Sequence, residues 1–257
     1  MARKASFVLA ACDDGPMLLP RLDHDPGSGT LGVGMTLLEK GSQSQHELDT
    51  LIQLTLQRRK QRGGGVMVLD GGANVGTFTI GWAKAMTGWG SVIAIEAQER
   101  IFGALWGNII LNNLENARAV HGVLSRASEM MAQPVPQYDQ PGHFSGVSML
   151  PRFNRQVGQE LVYGRLVRTM TIDDLGLPRL DVLKLDVEGM ECQALQGGER
   201  TLWRERPVIF AEVMMSGIAE VSRCLPPGYR HVVLANDILA MPADDPAWSM
   251  IEITDAA

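Results

Sequence analysis

The sequence has few cysteines, no long apolar run and no excess of basic residues. Its 257 residues include 3 widely separated cysteines without a C-x-x-C pair, which argues against a zinc or dithiol site and favours a reducing cytoplasm. No apolar stretch approaches the ~20 residues that cross a bilayer. With 29 acidic against 23 basic residues and a net charge of -6, neither nucleic acid nor a membrane is expected as a partner.

The remaining composition is that of a globular protein. Hydrophobic residues make up 45% and charged residues 20% of the chain, which excludes an ordinary disordered chain. The length equals about 1.7 domains of roughly 150 residues, and no internal repeat is visible, so one large domain with additions is expected. Residues 1–63 are predicted to form an N-terminal cap of hairpins followed by a helix over 45–62, which Ser44 and Glu47 begin with a capping box.

From residue 64 to 257, predicted strands and helices alternate, which is typical of a parallel sheet covered on both faces. The predicted strands are 66–70, 91–96, 119–124, 181–186, 207–213, 229–234 and 248–253. The predicted helices are 76–86, 99–112, 188–196 and 216–224. The last two strands have no helix between them and should pair antiparallel at one edge. The stretch 126–164, rich in Pro, Gln and Gly, is expected to be a lid over a binding site.

The first predicted strand runs into a glycine-rich loop with Asp70, Gly72, Asn74 and Gly76 at every second position. Glycine permits a positive φ angle and close approach of a ligand, and asparagine tolerates that conformation better than most residues. The loop then opens a helix, whose first N–H groups face the ligand. The pattern therefore predicts a binding loop.

The nature of the ligand follows by elimination. Thr77 and Phe78 follow Gly76, so the loop lacks the Lys of a nucleoside triphosphate site. The glycine spacing departs from G-x-G-x-x-G and Asp70 would repel a pyrophosphate, which weakens an NAD site without excluding it. A carboxylate at this place suits a ligand with an ammonium and a sulfonium, as in S-adenosylmethionine.

A second acidic residue supports a nucleoside ligand. Glu96 ends the next predicted strand, 20 residues after Gly76, at a spacing typical of an acid that accepts hydrogen bonds from both ribose hydroxyls. Ala97 follows it, and Val123 and Leu124 end the third predicted strand. We expect these three apolar residues on the adenine side of the pocket.

These residues resemble the class I S-adenosylmethionine-dependent methyltransferases, and among them the FkbM family. The run Val-Leu-Asp-Gly-Gly-Ala-Asn-Val-Gly at 68–76 resembles the D-x-G-A-N-x-G loop of that family. Met-Thr-Ile-Asp-Asp-Leu at 170–175 and Leu-Lys-Leu-Asp-Val-Glu-Gly-Met-Glu at 183–191 are similar to its T-L-D and K-x-D-x-E-G-x-E signatures. Pro-Val-Ile-Phe-Ala-Glu at 207–212 is similar to its fifth strand. The resemblance covers about residues 64–213 and departs at Ala97 and Gln98, where such proteins often carry proline.

Strand alternation places Lys184, Asp186 and Glu188 on one side of their strand, and Glu212 ends the neighbouring strand. Because ligands of open α/β sheets bind at the carboxyl ends of strands, we expect the three acids to converge near the transferred methyl group. Asp186 or Glu188 could act as a base, or Asp186 and Glu212 could hold a divalent cation. His143 in the predicted lid is a further candidate base or substrate contact.

The sequence therefore predicts a Rossmann-like, doubly wound α/β fold with a seven-stranded mixed sheet, an N-terminal cap and a lid loop. The resemblance implies S-adenosylmethionine-dependent O-methylation of a small metabolite, natural product or sugar. Two alternatives stay open, an NAD(P)-dependent oxidoreductase and a non-catalytic protein that keeps the fold as a scaffold. The expected partners are a small hydroxylated substrate and, as one option, a second copy of the chain.

Overall fold

A computed structural model describes residues 5–251, with only the backbone for residues 155 and 156. Apolar and β-branched runs form its strands, and amphipathic segments form its helices. The described strands are, in chain order, β1 (Phe7–Cys12), β2 (Gly15–Pro20), β3 (Val66–Gly71), β4 (Gly90–Glu96), β5 (Ala117–His121), β6 (Val123–Leu124), β7 (Met130–Val135), β8 (Val162–Met170), β9 (Val182–Leu185), β10 (Val208–Glu212), β11 (Tyr229–Leu234) and β12 (Asp237–Pro242).

The helices cover the two faces of the sheet that these strands form. They are α1 (Val33–Lys40), α2 (Gln45–Arg62), α3 (Thr77–Ala85), α4 (Glu99–Leu111), α5 (Glu191–Gln196), α6 (Glu199–Glu205) and α7 (Ile218–Cys224). Short 3-10 turns lie at Pro151–Gln156, Asp173–Leu175 and Pro246–Met250. In the part of the chain that the structure describes, no helix has both the length and the apolar character needed to cross a bilayer.

The main sheet has seven strands in the order β11-β12-β10-β9-β3-β4-β5. The strands from β10 to β5 run parallel, and β12 is antiparallel to both β10 and β11. Along the chain, β4 and β5 are added on one side of β3, and β9 and β10 are then added on its other side. This reversal creates a crevice at the carboxyl ends of β3 and β9, where ligands of such folds bind. The predicted seven-stranded mixed sheet is confirmed.

The predicted last strand is wrong. β12 starts after a two-residue turn, because Ala235 takes a φ of 54° and lets Leu234 pair with Asp237. The predicted antiparallel hairpin is present, but its second strand lies about eleven residues earlier than predicted. Most of the predicted segment 248–253 is a 3-10 turn and its exit, which Asp245 caps by accepting a hydrogen bond from the Ala247 N–H at 2.9 Å. Residues 252 and 253 lie outside the described part of the chain.

Two further boundaries differ from the prediction. The predicted strand 119–124 breaks at Gly122, whose N–H donates to the Glu96 carbonyl oxygen, after which Val123 pairs with Thr169 of β8. The predicted helix 188–196 begins only at Glu191, and α6 was not predicted. Glu188 and Gly189 have φ angles of 52° and 94°, which no α-helix contains.

The predicted lid is more regular than expected. Its first part forms β7, which pairs antiparallel with β8. The segment between them, residues 136–161, carries the 3-10 turn and runs along the carboxyl edge of the main sheet, where several of its side chains line a cleft. We call residues 136–161 the lid segment.

The N-terminal cap packs into the same core as the sheet. β1 and β2 form the predicted hairpin, and Met17, Leu19 and Leu37 join the apolar cluster that contains Val66 and Val68. A second cluster, with Leu69, Leu183 and Leu185, lies on the opposite face of the sheet because alternate strand residues point to opposite sides. The division of the chain at residue 63 stays a prediction.

The helix α2 confirms the predicted span, but its predicted capping box is wrong. Ser44 has a φ of 53° and makes no capping hydrogen bond through its side chain. An N-cap residue needs an extended backbone to turn its hydroxyl toward the helix. Ser44 lines the cleft at the sheet edge instead.

Candidate active site

The glycine loop connects β3 to α3 and is built from left-handed conformations. Gly72, Asn74 and Gly76 have φ angles of 74°, 51° and 99°, as the alternating pattern predicts. A Cβ atom at Gly72 would lie 1.8 Å from the carbonyl oxygen of Asp186, so only glycine fits there. The loop therefore packs directly against the end of β9.

Asp70 and Lys184 form a buried ion pair beneath this loop. Lys184 Nζ lies 3.8 Å from Asp70 Oδ1 and 3.2 Å from Asp186 Oδ2, and Thr79 Oγ1 donates to Asp70 Oδ2 at 2.6 Å. Burial alone would lower the pKa of Lys184, but the carboxylates of Asp186 and Asp70 outweigh it and raise the pKa. Lys184 therefore stays charged and, through its ion pairs with Asp70 and Asp186, links the glycine loop to the acidic residues of the cleft.

Glu96 lies at the end of β4 with both oxygens engaged by the backbone. Its Oε2 accepts a hydrogen bond from the Asn74 N–H at 2.9 Å, and its Oε1 accepts one from the Gln98 N–H at 2.7 Å. Burial raises the pKa of Glu96 to about 7, although these bonds lower it. Each carboxylate oxygen can accept more than one bond, so the side chain retains acceptor capacity toward a diol.

A cleft of about 240 Å³ opens along the carboxyl edge of the sheet. It brings together all but two of the predicted site residues, and neighbouring parts of the chain complete it. Among its lining residues are Gly72, Asn74, Glu96, Ala97, Val123, Leu124, His143, Lys184, Asp186, Glu188 and Glu212. The other two, Asp70 and Gly76, do not line the cleft: Asp70 is fully buried, and Gly76 is the N-cap residue before α3.

Three acids converge at one end of the cleft. Oxygen atoms of Asp186, Glu188 and Glu212 lie within 4.8 Å of one another, a spacing at which they could also hold a metal ion. Burial and then the charge of Asp186 raise the pKa of Glu188, and the same two causes raise the pKa of Glu212 to about 8. Close acids that are partly withdrawn from water cannot all ionise, so the acid cluster retains a proton near neutral pH.

His143 lines the same cleft but is not one of the three grouped acids' close neighbours in the cluster that could hold a metal ion. It lies next to Phe144, whose N–H donates to Asp23 of the N-terminal cap. It therefore does not join the acid cluster. Its predicted role as a base is not supported by this placement, and a role as a substrate contact stays a prediction.

Two buried polar residues that the sequence did not point to attach the lid segment to the rest of the protein. Asp23 accepts hydrogen bonds from the Phe144 N–H at 2.7 Å and from the Gly34 N–H at 2.9 Å. Gln98 donates to the Phe144 carbonyl oxygen and accepts from the Tyr138 hydroxyl, both at 2.8 Å. Of the two, only Gln98 lies close in sequence to a predicted site residue, two residues after Glu96.

The cleft suits a nucleoside with an amino-acid tail. Thr77 Oγ1 is buried without a hydrogen-bond partner among the described residues and lies at the start of α3, where the first N–H groups of a helix also lack helical partners. These donors fit a carboxylate, and Glu96 fits a ribose diol. Asp70 is fully buried against Lys184 and Thr79 and does not face the cleft, so it contributes by holding the glycine loop and not, as predicted, by direct contact with a cationic group of the ligand. This donor set is the one expected for S-adenosylmethionine.

Residues 70–239 match the model of the methyltransferase FkbM domain, which is more than half of the chain. The chain belongs to the FkbM methyltransferase family. The predicted resemblance is thereby confirmed, and membership of the FkbM family implies S-adenosylmethionine as the methyl donor. It also favours methyl transfer over hydride transfer to or from NAD(P).

Solved structures with a similar fold have low sequence identity to this FkbM-family chain, and no curated protein matches it. The methyltransferase FkbM from Methylobacillus flagellatus KT is 16% identical with a TM-score of 0.48, over 69% of this chain and 43% of that one. A precorrin-6y C5,15-methyltransferase from Geobacter metallireducens GS-15 is 14% identical with a TM-score of 0.44, over 74% and 85%. Magnesium protoporphyrin IX methyltransferase from Synechocystis PCC 6803, solved with bound SAM, is 12% identical with a TM-score of 0.45, over 77% and 79%. The chain thus spans less than half the length of the first of these proteins.

Proposed function

We propose that this protein transfers a methyl group from S-adenosylmethionine to a hydroxyl group of a small acceptor, such as a metabolite, a natural product or a sugar. The observation that carries the proposal is the acid cluster of Asp186, Glu188 and Glu212, next to the cofactor loop in a cleft that the cap and the lid segment complete. An alcohol is a poor nucleophile until a base accepts its proton, and such a base needs a pKa near the working pH.

In the proposed reaction, bound S-adenosylmethionine supplies an electrophilic methyl group on its sulfonium. Glu96 would hold the ribose, and Thr77 with the first N–H groups of α3 would hold the carboxylate of the tail. Glu188 takes the proton of the acceptor hydroxyl, because its pKa is raised by burial and by Asp186. Asp186, whose side chain is 41% exposed, lines the cleft beside Glu188, where its charge raises the pKa of that base and where it can orient the acceptor through another of the acceptor's polar groups.

The base mechanism predicts a pH dependence. A carboxyl group with a raised pKa is protonated at low pH and acts as a base only after it loses that proton. We therefore expect kcat/KM to rise with pH, with a midpoint near pH 8, where Glu212 and its partners lose their shared proton, and to level off about one pH unit higher. The measurement is a pH–rate profile between pH 6 and 9.5, and a profile that falls over this range would contradict the proposal.

A divalent cation held by Asp186 and Glu212 is the alternative way to acidify the acceptor hydroxyl. The same assays with EDTA and with added magnesium distinguish the two. Unchanged activity in EDTA supports Glu188 as the base, whereas loss of activity that magnesium restores supports the cation.

Calorimetric titration tests the cofactor independently of the acceptor. We expect S-adenosylhomocysteine, the demethylated product, to bind with a micromolar Kd, and NAD not to bind under the same conditions. Binding of NAD alone would reverse the assignment. A screen of hydroxylated acceptors then follows methyl transfer from labelled S-adenosylmethionine, and binding without transfer to any acceptor would favour the non-catalytic scaffold.

A further inference from the structure

Glu188 has a backbone conformation that few side chains adopt. Its φ of 52° lies in the left-handed region, which is unfavourable for residues other than glycine and is common at functional sites. Gly189, next in the chain, has a φ of 94° and supplies the second half of the turn. The surrounding structure must hold this turn, because local preference would not.

On one side, the carboxylate of Glu191 closes the turn. Glu191 is 1% exposed, and its Oε1 accepts hydrogen bonds from the Val187 N–H at 3.1 Å and from the Gly189 N–H at 3.2 Å. Its Oε2 accepts a hydrogen bond from the Ser216 hydroxyl. One buried side chain therefore binds the N–H groups of the residues before and after Glu188.

On the other side, the lid segment holds the Glu188 carbonyl group. The fully buried Ser148 donates its hydroxyl to that carbonyl oxygen and accepts the Leu150 N–H at 3.0 Å. Asn154 fixes Ser148 in turn, accepting from its N–H at 2.8 Å and donating to its carbonyl oxygen at 2.9 Å. The Ser148 hydroxyl therefore has one defined direction, toward Glu188.

We propose that Ser148 and Glu191 are positioning residues for methyl transfer: they hold Glu188 from opposite sides in the left-handed conformation that keeps its carboxyl group in the acid cluster. The proposal rests on the proposed function of Glu188 as the base. It makes the geometry of the acid cluster depend on the lid segment, whose Ser148 lies 40 residues before Glu188 and which also lines the cleft.

The test is hydrogen exchange of the Val187 and Gly189 amides in the full-length protein, followed by NMR. We expect Ser148→Ala to speed exchange of these amides about threefold and Glu191→Ala about tenfold, because each loses a hydrogen bond that holds the turn. Glu191→Gln keeps the acceptor oxygen and should exchange as the wild type does. For an acceptor found in the screen, we expect kcat to fall about tenfold in Ser148→Ala, with the KM for S-adenosylmethionine changed less than twofold.

Ser145→Ala is the matched control. It removes a hydroxyl from the same lid segment, but that hydroxyl binds Asp23 and the Val33 N–H and not the turn. Its Val187 and Gly189 amides should exchange as in the wild type. Unchanged exchange in Ser148→Ala, or faster exchange with an unchanged kcat, would overturn the proposal. If the wild type methylates no acceptor, the proposed function fails, and the exchange rates still decide whether the two residues hold the turn.

Discussion

Asp186→Asn should reduce kcat by about a thousandfold while the Kd for S-adenosylhomocysteine changes less than threefold. General base catalysis and correct orientation together contribute effects of about this size. The substitution removes the charge that helps to raise the pKa of Glu188, so the base becomes weaker, and it replaces an acceptor oxygen in the cleft with an amide. Lys184 keeps its second partner, Asp70, so the glycine loop should keep its conformation.

Steady-state kinetics and calorimetry on the same preparations make this measurement. Asp244→Asn is the matched control, because Asp244 is exposed and does not line the cleft. It should leave both kcat and the Kd unchanged. Turnover within tenfold of the wild type in Asp186→Asn would remove Asp186 from the proposed reaction.

Glu96→Ala should have the opposite signature. We expect the Kd for S-adenosylhomocysteine to rise at least a hundredfold, because hydrogen bonds to a charged carboxylate contribute about 1.5–3 kcal/mol each. The Asn74 and Gln98 N–H groups would also lose their acceptor, which loosens the loop that contacts the ligand. At saturating cofactor, kcat should fall far less than the affinity does.

The comparison with Glu96→Gln separates these two causes. Glutamine offers one oxygen, so it can serve only one of the two backbone N–H groups and lacks the charge that a diol prefers. We expect an intermediate loss of affinity. Calorimetric binding as tight as in the wild type would show that Glu96 does not hold the ribose. Circular dichroism of each variant checks that the fold is retained.

The sheet and much of the site were predictable because local chemistry determines them. The positive φ angles at Gly72, Asn74 and Gly76 follow from residue type. The convergence of Asp186 and Glu212 follows from their positions at the ends of neighbouring parallel strands. In each case, sequence position alone fixes which edge of the sheet a side chain occupies.

The other features depend on contacts that local chemistry does not encode. Asp23 meets Phe144 across 121 residues, and Ser148 meets Glu188 across 40, with no spacing that would reveal either pair. The sequence does not reveal the turn before β12, because Ala235 adopts a left-handed turn conformation that glycine or asparagine usually adopts. The capping box at Ser44 failed because tertiary packing, and not the four-residue pattern, decides its backbone angle.

The close contact between Gly72 and Asp186 has a consequence for protein engineering. The glycine loop and the end of β9 are more than a hundred residues apart in the sequence but are in van der Waals contact. Asp186 also donates its N–H to the Gly71 carbonyl oxygen at 3.0 Å. In a chimera that carries the glycine loop of another methyltransferase, the new loop would have to pack against the native end of β9, where there is no room for a larger residue at position 72. Exchanging the loop together with residues 183–191 would keep this contact as it is, and the partner of Asn74, Glu96, would have to be kept as well.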